Sequence, residues 1–145
     1  MSEFSPKVVI FCCNWCFCTG TEPAEVLNIK PNSNIRVVKT MCSGRVEPSF
    51  IIQAFANGAD GVMVTGCHPG DCHYNSGNYK TLRRLMLLKT TLAQLGIEPE
   101  RLKLEWIATE EMDKFKQSVA EFIKDVSRLG PLNYDKEVAK VAAAF

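Results

Sequence analysis

The apolar positions change period several times along the chain, and each change marks an element. Four short runs rich in β-branched residues and bounded by Gly, Pro, Asn or Asp read as strands: 7–11 (KVVIF), 34–41 (NIRVVKTM), 60–66 (DGVMVTG) and 101–108 (RLKLEWIA). Between the second and third, Pro48 stands where a first helical turn tolerates it and Gly58 where a helix would end. Phe50, Ile51, Ala54 and Phe55 fall at helical spacing between them, which predicts a short crossover helix. Over 79–95, Leu82, Leu85, Met86, Leu92 and Leu95 keep the helical period and Gly96 follows as a stop. Over 110–129 a stripe of Met112, Phe115, Val119, Phe122, Ile123 and Val126 begins behind Thr109 and closes at Gly130 and Pro131.

Segment 21–29 (TEPAEVLNI) must return the chain from the first strand to the second and reads as a short helix. The tail, 133–145, follows a proline break and reads as an extra helix that docks on a partner. Strands alternating with helices imply right-handed crossovers and a parallel sheet covered on both faces. The expected fold is therefore a single three-layer, doubly wound α/β domain of the flavodoxin-like kind with about four strands over 7–131, and 132–145 as a C-terminal tail.

Composition narrows the chemistry. A chain of 145 residues, 46% hydrophobic and 23% charged, has room for one core. Seventeen Lys and Arg against sixteen Asp and Glu leave a balance of +1, which gives no electrostatic reason to expect nucleic acid or an anionic membrane. The opening MSEFSPKVVIF fits neither a secretory signal nor a transit peptide, and no stretch approaches the ~18 apolar residues of a membrane span. A cytoplasmic protein is expected. In that reducing compartment, seven cysteines point to metal or redox chemistry rather than to a disulfide scaffold.

The cysteines fall where an open α/β sheet gathers its ligands, outside the carboxyl ends of the strands. Cys12 and Cys13 end the first strand with Cys16 in its loop, Cys42 ends the second, Cys67 ends the third, and Cys72 closes the loop GCHPGDC. A single buried cysteine often only packs. Six at three equivalent strand ends are poorly explained by packing, while Cys18 lies beyond the turn that Cys16 can close and reads as a bystander. Clustered thiolates suit zinc or iron–sulfur. Cys67-x4-Cys72 has a spacing found in plant-type [2Fe–2S] sites, and Cys13-x2-Cys16, or Cys12-x3-Cys16, supplies a second pair.

His68 and His73 flank this loop and read as hydrogen-bond partners more readily than as ligands. Arg45 offers a guanidinium to a negative cluster or to a partner's carboxylate, and Trp15 either shields the site or presents an aromatic surface. Lys80, Arg83, Arg84 and Lys89 form a basic helix face, most simply solvated. No Walker loop, dinucleotide fingerprint or Ser-His-Asp arrangement is present. Two other readings use fewer of the cysteines: a thiol–disulfide oxidoreductase working through Cys13 and Cys16, and a structural zinc module.

FCCNWC (11–16), the long stretch MCSGRVEPSFIIQAFANGADGVMVTGCHPGDCHYNSGNYKTLRR (41–84) and LGIEPERLKLEWI (95–107) resemble the delta subunit of the methyl-viologen-reducing, or F420-non-reducing, hydrogenase of methanogenic archaea. The resemblance runs over 7–131. It implies one [2Fe–2S] cluster that passes electrons from a hydrogenase or a formate dehydrogenase to the flavin-containing A subunit of heterodisulfide reductase, in an electron-bifurcating assembly. It carries the family's cysteines onto Cys12, Cys13, Cys16, Cys42, Cys67 and Cys72, while Cys18 departs from its pattern. Four ligands are needed, and Cys13, Cys16, Cys42 and Cys67 are the preferred set, with Cys12 and Cys72 as alternatives. On this reading the protein is a relay and performs no bond chemistry on a substrate.

Overall fold

The computed structural model describes residues 3–15, 22–30 and 33–144. Its order is β1 (Val8–Cys13), α1 (Pro23–Val26), β2 (Ile35–Thr40), a 3₁₀ turn (Ser43–Arg45), α2 (Pro48–Ala56), β3 (Gly61–Gly66), α3 (Gly77–Gln94), a second 3₁₀ turn (Pro99–Arg101), β4 (Leu102–Trp106), α4 (Met112–Leu129) and α5 (Tyr134–Ala142). The four strands form one parallel sheet in the order β2-β1-β3-β4. β3 is buried throughout, whereas β2 at one edge alternates between partly buried and exposed positions. That contrast is why the third run is apolar without a break and the second is mixed.

Two apolar layers flank the sheet. On one face Val8, Ile10 and Met63 pack against Phe115, Val119, Phe122 and Val126 of α4, with Val26 of α1 at the margin. On the other, Phe11, Val62 and Val64 meet Ile51 and Phe55 of α2 and Leu85, Leu88 and Leu92 of α3. The doubly wound α/β domain expected from the sequence is thus the one observed. One helical position differs: Met86 is 63% exposed and Leu88 takes its place in the core. The inward stripe of α3 runs Thr81, Leu85, Leu88, Leu92, and Met86 lies one residue, about 100°, off it.

A buried guanidinium closes the end of α4. Arg101, 1% exposed, donates from Nη1 to the carbonyls of Asp60 (3.0 Å) and Gly130 (3.0 Å), from Nη2 to that of Leu129 (3.3 Å), and from Nε to the Glu98 carboxylate (2.7 Å). The bonds to Leu129 and Gly130 satisfy carbonyls that the end of α4 leaves open. Asp60 in turn accepts from the backbone N–H of Lys7 (2.8 Å) and of Leu132 (2.9 Å), so the chain after Pro131 is tied to the start of β1. Leu132 and Tyr134 pack on the α2–α3 layer, and α5 lies against α2. Among the described residues, no helix is long and apolar enough to cross a membrane.

Candidate functional site

In the order β2-β1-β3-β4 the connections diverge between β1 and β3, which opens a crevice beyond their carboxyl ends. Register delivers cysteines to it. Cys13 pairs with Thr40 across β1 and β2, and Cys12 with Thr65 across β1 and β3, so the residues just beyond, Cys42 and Cys67, leave the sheet at the same edge. β1 continues through Cys12 and Cys13, two residues further than its β-branched run suggests.

Four thiols meet there in two pairs. Cys13 Sγ lies 3.8 Å from Cys67 Sγ, and Cys42 Sγ lies 3.9 Å from Cys72 Sγ. All four residues are buried. Two thiolates bound at ~2.3 Å to one tetrahedral metal stand about 3.8 Å apart, so each pair has the span of one edge of such a site. Among the described residues, no group of three or more His, Cys, Asp or Glu side chains is arranged to hold a metal ion. The sulfurs stand as two separate thiol pairs, and thiol sulfur is a donor type that suits iron–sulfur or zinc.

Burial pushes the Cys42 thiol above its ordinary range; the Gly44 N–H opposes this at 3.4 Å, and the neighbouring Cys72 and Cys13 add to it. A metal that binds Cys42 must displace its proton. Cys12 is fully buried with Val8, Ile10 and Phe115 in the layer under α4 and is not part of either pair. Cys16 and Cys18 lie outside the described residues.

The loop after β3 is held at several points. Asn78, 1% exposed, donates from Nδ2 to the carbonyls of Cys67 (3.1 Å) and His68 (2.9 Å). Nothing in the sequence beyond an Asn after Ser-Gly at a helix start signals this clasp. His68 Nε2 meets Glu111 Oε2 at 2.8 Å, beside the start of α4. The Ala108 N–H, at 3.0 Å, and then His68 hold the Glu111 carboxyl down at about 2. His73 stacks on Trp15 with ring centres 3.8 Å apart, and Trp15 Nε1 donates to the Tyr74 hydroxyl at 3.0 Å. Both histidines are thus engaged away from the thiol pairs.

Trp15 and Tyr74 are 37% and 46% exposed, so the ring cluster is a surface feature joining the β1 loop to the Cys72 loop. Arg45 lies over the Phe50 ring at 5.4 Å. Of the basic face on α3, Lys80 and Arg83 are exposed, whereas Arg84 donates to the Gly44 carbonyl at 2.7 Å. A cleft of about 200 Å³ between Trp15, His68, Asp71 and Ala108 reaches Cys67 from solvent.

Against known proteins the match is specific. A family model described as methyl-viologen-reducing hydrogenase, delta subunit, matches residues 8–130. The chain is 46% identical over 139 residues to the D-type iron-sulfur subunit of the vhc F420-non-reducing hydrogenase of Methanococcus voltae, covering 96% of each chain. It is 48% identical over 134 residues to the D-type iron-sulfur subunit of the F420-non-reducing hydrogenase of Archaeoglobus profundus, covering 92% of this chain and 98% of the relative. It is also 39% identical over 127 residues to the A subunit of the ferredoxin:CoB-CoM heterodisulfide reductase of Methanosarcina mazei, covering 88% of this chain but 16% of that longer protein.

Proposed function

The chain belongs to the delta-subunit family of methyl-viologen-reducing hydrogenases, and from that premise we propose that it is an electron relay built around one [2Fe–2S] cluster. The observation that carries this reading is the two thiol pairs, 3.8 and 3.9 Å wide, at the carboxyl edge of the sheet. Cys13, Cys67, Cys42 and Cys72 would hold the two irons, one pair each. The close Cys42–Cys72 approach favours Cys72 for the fourth place that sequence reasoning gave to Cys16. Such a cluster supplies reversible one-electron transfer. The protein's own part is to shield the sulfurs by burial and to donate the Gly44 N–H to Cys42.

The relatives' names support two of the partners in this reading. A segment like this chain occurs within the longer A subunit of heterodisulfide reductase, and close relatives are hydrogenase subunits. We infer that the relay connects a hydrogenase, or a formate dehydrogenase, with the flavin-containing A subunit of heterodisulfide reductase. That setting is an electron-bifurcating complex in the cytoplasm of a methanogenic archaeon. Within the chain, 7–131 would be the cluster-binding domain and 132–145 a tail that docks a partner.

Iron content of single variants, purified anaerobically, tests the ligand set. Cys13→Ser, Cys42→Ser, Cys67→Ser and Cys72→Ser should each lose at least half of the iron and change the visible spectrum, whereas Cys12→Ser should keep both. Full iron in Cys72→Ser with loss in Cys16→Ser would restore Cys16 to the set. The same thiol pairs suit zinc, and stoichiometric zinc in a colourless protein would replace the relay with a structural metal module.

A further inference from the structure

The Cys42–Cys72 pair sits where two stretches of bare backbone touch. A Cβ on Gly44 would stand 2.9 Å from both the Cα and the carbonyl oxygen of Gly77, so the 3₁₀ turn and the first turn of α3 meet main chain to main chain. A Cβ on Gly77 would overlap Cys42 Sγ and lie 3.2 Å from Cys72 Sγ. Neither glycine has a positive φ among the described residues, so space rather than backbone freedom is what excludes a side chain.

The contact is bolted from behind. Thr81 Oγ1 bonds Ser43 Oγ at 3.0 Å and donates to the Gly77 carbonyl at 2.9 Å, and Arg84 holds the Gly44 carbonyl at 2.7 Å. These bonds leave α3 little room to retreat from an added methyl. The sulfurs would have to move instead.

We propose that Gly77 is a positioning residue: its missing side chain lets α3 close on Cys42 and Cys72 and sets their separation. The proposal rests on the reading of these two thiols as iron ligands. A purely helical role gives the opposite sign, because Ala is favoured over Gly in a helix. Overlap with sulfur in a packed site is destabilising.

The test is a double-mutant cycle on the reduced, metal-free protein, read as thermal midpoint. Gly77→Ala should lower the midpoint by about 5 °C when Cys42 is present, and leave it unchanged or raised in a Cys42→Ala background. Equal shifts in both backgrounds, or none in the first, would overturn the contact. A second readout is anaerobic reconstitution with ferrous iron and sulfide, where Gly77→Ala should take up less than half the iron of the unsubstituted protein, with an altered visible spectrum. Equal iron and an unchanged spectrum would remove the positioning role and leave the relay intact. If the unsubstituted protein takes up no iron, the relay falls, and the thermal cycle alone decides whether Gly77 sets the thiol spacing.

Discussion

Single side chains here carry loads that their type does not announce. Glu111 is one-third exposed, yet its carboxyl is held at about 2 by the Ala108 N–H and His68, against an ordinary value of 4.5. A depressed folded-state value means that the ionised form favours folding; this contribution is complete above about pH 4.5 and is lost as pH falls toward 2. Acidification across that window should therefore lower the thermal midpoint of the metal-free protein more steeply than that of Glu111→Gln. Identical acid profiles would show that the Glu111 contacts do not form in solution. Of the six cysteines expected at the site, Cys13, Cys42, Cys67 and Cys72 come together there, because strand ends in an α/β chain can be located from β-branched runs, whereas Cys12 packs under α4 and Cys16 lies outside the described residues. Which thiol faces which was not legible, since Cys42 and Cys72 are 30 residues apart and their segments meet through tertiary contacts such as that of Gly44 with Gly77.

Elements follow the sequence wherever a strong period coincides with a chain-breaking residue, as in α4, which ends at Gly130 with a positive φ of 79°. They depart from it where tertiary contacts overrule propensity. α3 begins at Gly77 and Asn78, both poor helix formers, because the Asn78 clasp on the Cys67 loop and the seat against Gly44 hold that turn in place. The C-terminal end of α4 is similarly fixed from outside, by Arg101. Arg101→Leu would keep much of the volume but strip the carbonyls of Asp60, Leu129 and Gly130 of their donor, at a cost of about 3 kcal/mol. Urea unfolding should show that loss with an unchanged slope, and hydrogen exchange should quicken first in the last turn of α4. A variant as stable as the parent would mean that water replaces the guanidinium at no cost.

At the scale of the molecule, a parallel sheet in the order β2-β1-β3-β4 brings three strand ends and their thiols to one edge, while the apolar layers under α2, α3 and α4 hold that edge still. For the relay proposed above, the cleft beside Cys67 and the exposed Trp15–His73–Tyr74 cluster would offer the approach from outside. The direct test is an anaerobic dithionite titration of the purified protein, followed by visible absorption and electron paramagnetic resonance, with iron and zinc assayed on the same sample. The protein should be brown with about two irons per chain, silent when oxidised and giving the signal of one unpaired electron when reduced. A colourless protein carrying zinc, or one with no metal and an oxidisable thiol pair, would contradict the relay.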